Sequence, residues 1–105
     1  MRLYHATPRR NLASIRRRGL LTAKSKGKLP VVWLHSRGRR VWASLHTIKR
    51  HGTKNVAILG ASVSRQHLRR AGRGLWYSTV DVPPGRLTLE DIDHENEAAR
   101  GFGNS

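Results

Sequence analysis

The chain has 105 residues, a length that accommodates one domain with a modest core. It contains no cysteine, which excludes disulfides, thiolate catalysis and cysteine-ligated zinc or iron–sulfur sites and fits a reducing cytoplasm. The formal charge of +15 is unevenly placed: residues 1–80 carry 19 basic side chains and no acidic one, and all six carboxylates lie at Asp81 or beyond. A body without internal countercharge repels itself and attracts polyanions, so RNA or DNA is the expected partner. No apolar run reaches the length of a membrane span or a secretory signal, so a soluble, cytoplasmic protein without membrane contact is expected.

Leu3-Tyr4-His5-Ala6-Thr7-Pro8 reads as a short strand handing over to a helix, with Thr7 as N-cap and Pro8 at the first helical position. The loose N–H groups of such a junction favour an anion, which puts His5 and Thr7 where a phosphate-bearing ligand docks. The helix runs to about Arg18 with Leu12, Ala13 and Ile15 on one face, and Gly19 stops it. Residues 22–28 read as an exposed basic loop, and 31–36 as a buried strand in the sheet centre. From Arg39 to His51, apolar residues recur at Val41, Trp42, Leu45 and Ile48, the spacing of one helical face closed by Gly52. Residues 55–61 form the next buried strand. Ser64 then caps a short helical turn through Arg70, with Leu68 inward. A strand over 75–80, a Pro-Pro-Gly turn and a last short strand near 86–89 complete the order.

Short strands with only two substantial helices predict an α+β domain over residues 1–92, followed by an acidic, then Gly-rich, flexible tail over 93–105. The three Trp are expected mainly in the core. The six histidines show no metal-ligand spacing, and no metal is expected. Phosphate contact is expected from Arg16, Arg17 and Arg18, from Lys24, Lys26 and Lys28, and from Arg69, Arg70 and Arg73.

In this order the chain resembles the ADP-ribosyltransferase superfamily, most closely the catalytic lobe of the RNA 2'-phosphotransferases. Tyr4-His5-Ala6-Thr7 is similar to the family's Y-H-G-T strand, with Ala6 at the glycine, and Gly19-Leu20 to the turn after the following helix. Residues 32–36 resemble its V-H-L-S strand, Arg50-His51-Gly52 its R-H-G, and residues 74–79 with Val82-Pro83-Pro84 its G-V-W-L-T and V-P-P. The resemblance implies a split, bent β-sheet with two main helices, whose central cleft binds NAD+ as a substrate. It assigns His5 and Thr7 to the adenosine ribose and its surroundings and the Ala6 backbone to the nicotinamide amide. Tyr4 and Trp33 become further cofactor contacts, and Arg50 and Ser36 fall at catalytic positions. Transfer of ADP-ribose to RNA or DNA is the implied activity. The alternative is a non-catalytic basic module of the same fold that binds nucleic acid.

Overall fold

The computed structural model describes residues 1–25, 27–52 and 54–90, so Lys26 and the 93–105 tail lie outside the described residues. The chain is α+β, with one six-stranded antiparallel sheet and two α-helices. The strands are β1 (Arg2–Pro8), β2 (Val32–His35), β3 (Val56–Ser62), β4 (Leu68–Gly72), β5 (Leu75–Ser78) and β6 (Leu87–Leu89), and the helices are α1 (Leu12–Arg18) and α2 (Arg40–His51). Their order across the sheet is β4-β5-β2-β1-β3-β6.

The pairing is uneven. β1 pairs with β3 along its whole length, from Arg2–Ser62 to Pro8–Val56, and β2 pairs with β5 along all of its own, from Val32–Ser78 to His35–Leu75. Between β1 and β2 the register holds at one position, Tyr4 opposite His35. The sheet is therefore two three-stranded blocks joined at a single residue pair. Beyond that pair the ladder gives way, and the His5 side chain bonds the Trp33 carbonyl instead.

Side chains alternate across a strand, so each β1 residue serves one layer. Leu3 joins Val32, Leu34, Leu59, Ala61 and Leu87 in the main core, which Ile15 of α1 closes together with Leu20, Val63, Leu68 and Val82. Tyr4 points the other way, toward α2, where the Arg40 guanidinium lies 5.9 Å from its ring centre. Gly19 ends α1 at φ +79°, its N–H bonded to the Ile15 carbonyl at 2.6 Å. A Cβ at Gly19 would run into the Val82 carbonyl, the same carbonyl that accepts from Leu20 N–H at 2.8 Å. Glycine is thus required by both backbone conformation and space.

Four sequence expectations need correction. Thr7 does not cap a helix: it is a buried strand residue, β1 continues through Pro8, and a 3-10 turn over Arg9–Asn11 precedes α1. With a seven-residue α1 starting at Leu12, the anion-binding helix end expected beside His5 and Thr7 is not formed. The helical turn expected through Arg70 stops at His67, and Leu68–Gly72 forms β4, an edge strand whose pairing with β5 is broken by a bulge between Arg70 and Gly72. Pairing with the well-formed β5 outweighs local turn propensity there.

The fourth correction, that the Trp residues are not chiefly core, begins on α2. The helix runs as expected and ends at Gly52 with φ +65°, but Val41 is 73 % exposed, Leu45 62 % and Trp42 44 %. The residues it buries are Ala43 and Thr47. Small side chains let the helix approach β1 closely, with Thr47 Oγ1 donating to the Ala43 carbonyl at 2.8 Å and lying 3.5 Å from the Ala6 carbonyl. Trp33 is also exposed, at 39 %, and Trp76 is half-buried, so the Trp residues are not chiefly core.

Candidate functional site

A cleft of about 670 Å³ opens where β1 and β2 part. β1 contributes His5, Ala6, Thr7 and Pro8, and β2 contributes Val32 to His35. One wall is the α2 face carrying Trp42, His46 and Arg50, spaced four residues apart and so stacked one turn above another. The other wall comes from Ile15, Leu20, Leu21 and Lys24. Its lining is mostly apolar with a few convergent polar groups, the composition and size of small-molecule sites, which span roughly 300–1,000 Å³.

Two histidines define its polar chemistry. His5 Nδ1 lies 2.7 Å from the Trp33 carbonyl oxygen. A carbonyl only accepts, so Nδ1 carries the proton, and the neutral ring keeps a lone pair on Nε2. Burial pushes the His5 pKa below its ordinary value, the bond to the Trp33 carbonyl works in the opposite sense, and repulsion from His35 and His51 lowers it further. His5 therefore lines the cleft as an imidazole whose proton sits on Nδ1.

The second histidine, His35, is only 4 % exposed. Its Nδ1 donates to the Ser36 carbonyl at 3.0 Å, and its Nε2 is buried with no protein partner. Burial, followed by the nearby Arg40 charge, lowers its pKa, with the Ser36 bond opposing. Its ring centre lies 6.3 Å from that of Tyr4, at the pair where the two sheet blocks join.

The cleft brings together five of the residues expected at a cofactor site: His5, Ala6, Thr7, Trp33 and Arg50. Two others lie off its wall. Tyr4 is buried under α2, its ring flanked at 5.9 Å by the guanidinium groups of Arg2 and Arg40. Ser36 follows β2, with its N–H bonded to the Gly74 carbonyl at 2.9 Å. Of the basic residues expected to meet phosphate, Lys24 lines the cleft. Arg16, Arg17 and Arg18 are exposed at the end of α1, and Lys28 is exposed on the following loop. Arg69, Arg70 and Arg73 sit on the exposed β4–β5 hairpin, where Arg69 donates to the Gln66 and Leu68 carbonyls and Arg70 lies over Trp76.

Sequence reasoning undervalued the α2 wall. The spacing of Trp42, His46 and Arg50 marks one helical face, but the apolar residues beside them suggested that this side was core. Among the described residues no group of three or more histidines and carboxylates is arranged to hold a metal ion, and no helix is long and apolar enough to cross a membrane. Neither a known protein-family model nor any curated protein matches the sequence.

Proposed function

We propose that the chain is an NAD+-using transferase of the ADP-ribosyltransferase type that modifies nucleic acid. The observation that carries this is His5: an imidazole fixed through Nδ1 to the Trp33 carbonyl and lining an apolar cleft at the split of the sheet, with Ala6 and Thr7 beside it on the same strand. These are the residues that the Y-H-G-T resemblance assigns to the ribose and nicotinamide. Arg50 and Lys24 supply positive charge to the cleft for a pyrophosphate, and Trp33 supplies an aromatic face for a base. In the reaction the bond between the ribose C1' and the nicotinamide nitrogen breaks with its electron pair leaving on nicotinamide. A nucleophile on the acceptor then bonds to C1' and loses its proton. A rigidly held ribose and a neutralised pyrophosphate favour that oxocarbenium-like transition state.

One observation favours a second reading, a non-catalytic basic module that binds nucleic acid. The cleft-lining residues include no carboxylate, and the two carboxylates among the described residues are engaged elsewhere, Asp81 with Thr22 and Glu90 with Arg2 and Thr88. Incubation with adenylate-labelled NAD+, with and without RNA, DNA and 2'-phosphorylated oligonucleotide, separates the two. Nicotinamide release or a labelled nucleic acid supports the transferase. No turnover, together with no rise in melting temperature at millimolar NAD+, rejects NAD+ use, because a ligand well above its Kd stabilises the fold it binds.

A further inference from the structure

We infer that the α2 wall of the cleft is a docking track for single-stranded nucleic acid, with Trp42 as its base-stacking centre. This rests on the nucleic-acid part of the proposed function and not on its cofactor part.

Three planar groups follow one another along α2. The Arg39 guanidinium lies 5.4 Å from the Trp42 ring centre, and the His46 imidazole is stacked on the same indole at 5.3 Å with an interplanar angle of 11°. A nucleobase extends such a column from either end, or takes the place of the guanidinium on the indole face. At the cleft's β2 side, Trp33 stands edge-on to Tyr77 at 5.3 Å and remains exposed, offering a second aromatic surface. Two large indoles left open to solvent on a 105-residue domain are costly unless something covers them.

The electrostatics select the occupant. Arg37, Arg39 and Arg40 stand at the start of α2 and Lys49 and Arg50 at its end, and α2 itself contains no acidic residue. The described carboxylates are engaged away from this face. An apolar and aromatic strip bounded by cations at both ends suits a strand that carries bases on one side and phosphates on the other. Single strands expose base faces for stacking, whereas in a duplex those faces are covered by neighbouring bases. A protein partner would need carboxylates to meet the same cations.

The test is fluorescence anisotropy without NAD+, using end-labelled oligo-dT and oligo-U of about 12 nucleotides, within the usual range of single-strand site sizes, and a duplex of the same length. The parent chain is expected to bind the single strands more tightly than the duplex, with quenching of its tryptophan emission. Trp42→Ala should weaken single-strand binding about five- to hundredfold, the range of one lost base stack, with duplex affinity unchanged. Trp42→Phe should lose less, and His46→Ala, made at an exposed position, checks the column independently of any folding defect in the first variant. Equal affinity for single strand and duplex with no effect of Trp42→Ala or His46→Ala would overturn the inference while leaving general polyanion binding intact. Absence of any nucleic-acid binding at low salt would overturn both. Sedimentation showing a dimer that Leu45→Glu abolishes would instead assign the face to a second copy of the chain.

Discussion

The His5 imidazole bonds the Trp33 main-chain carbonyl at 2.7 Å, the point at which a side chain takes over from the backbone ladder between β1 and β2. One bond thus does two things. It bridges the halves of the sheet where they separate, and it fixes the tautomer with the proton on Nδ1.

Replacing that ring separates structure from ligand binding. His5→Ala is expected to cost about 0.5–1.5 kcal/mol in urea unfolding, the scale of a lost hydrogen bond. Under the proposed function it also abolishes the rise in melting temperature that NAD+ produces in the parent. A variant that keeps the full NAD+ shift removes His5 from the site.

Acid should destabilise the protein through two histidines. Both His5 and His35 have folded-state pKa values held below the ordinary 6.5 by burial, so between those values and 6.5 the unfolded chain binds more protons than the folded one. Stability is therefore complete above that interval and falls as the pH drops through it. His35→Leu removes one of the two groups and should flatten this acid limb. At neutral pH its stability should stay within about 1 kcal/mol of the parent, because losing the bond to Ser36 is offset by removing the unpartnered Nε2. Denaturant midpoints across pH, for parent and variant, check both statements; an unchanged acid limb would sink the assignment.

The outward turn of α2 can be tested by stability alone. Leu45→Ala should cost about 0.5 kcal/mol or less, far below the roughly 2–5 kcal/mol of a buried leucine. Ala43→Leu, which forces a larger side chain between α2 and β1, should cost about 1–3 kcal/mol. The reverse ranking would mean that the helix presents its other face to the sheet.

Two glycines, both at positive φ but with ψ −165° at Gly19 and +23° at Gly52, should respond differently. Gly52→Ala meets open space at φ +65° and should cost about 1 kcal/mol, the price of the left-handed conformation. Gly19→Ala adds a collision with the Val82 carbonyl and breaks the Leu20–Val82 bridge, so a loss of about 2–5 kcal/mol is expected. Thermal or urea unfolding of the pair gives the comparison directly.

Much of the fold was legible locally. The runs at 31–36 and 55–61 are dense in β-branched and apolar residues and both became internal strands, and Gly19 and Gly52 end their helices where the sequence placed the stops. The edge strand Leu68–Gly72 was not legible, because two arginines, an alanine and a glycine carry little strand propensity of their own. It exists because β5 offers it a partner. In the site, His5, Ala6, Thr7, Trp33 and Arg50 were readable as a group. The α2 wall was not, since an apolar helical stripe looks the same in sequence whether it faces a core or an open cleft.

The sequence by itself determined an α+β chain with two helices and a body, residues 1–80, that carries 19 basic side chains and no acidic one. Tertiary structure alone decided that β1 and β2 meet at one residue pair, that His5 turns its Nδ1 to Trp33 and lines the cleft, and that α2 buries Ala43 and Thr47 while leaving Trp42 at the surface. The reason is physical. Helix and strand periods and glycine stops are written in neighbouring residues, whereas where a sheet opens, and which helical face fits the surface beneath it, depends on the shapes of segments brought together only by folding.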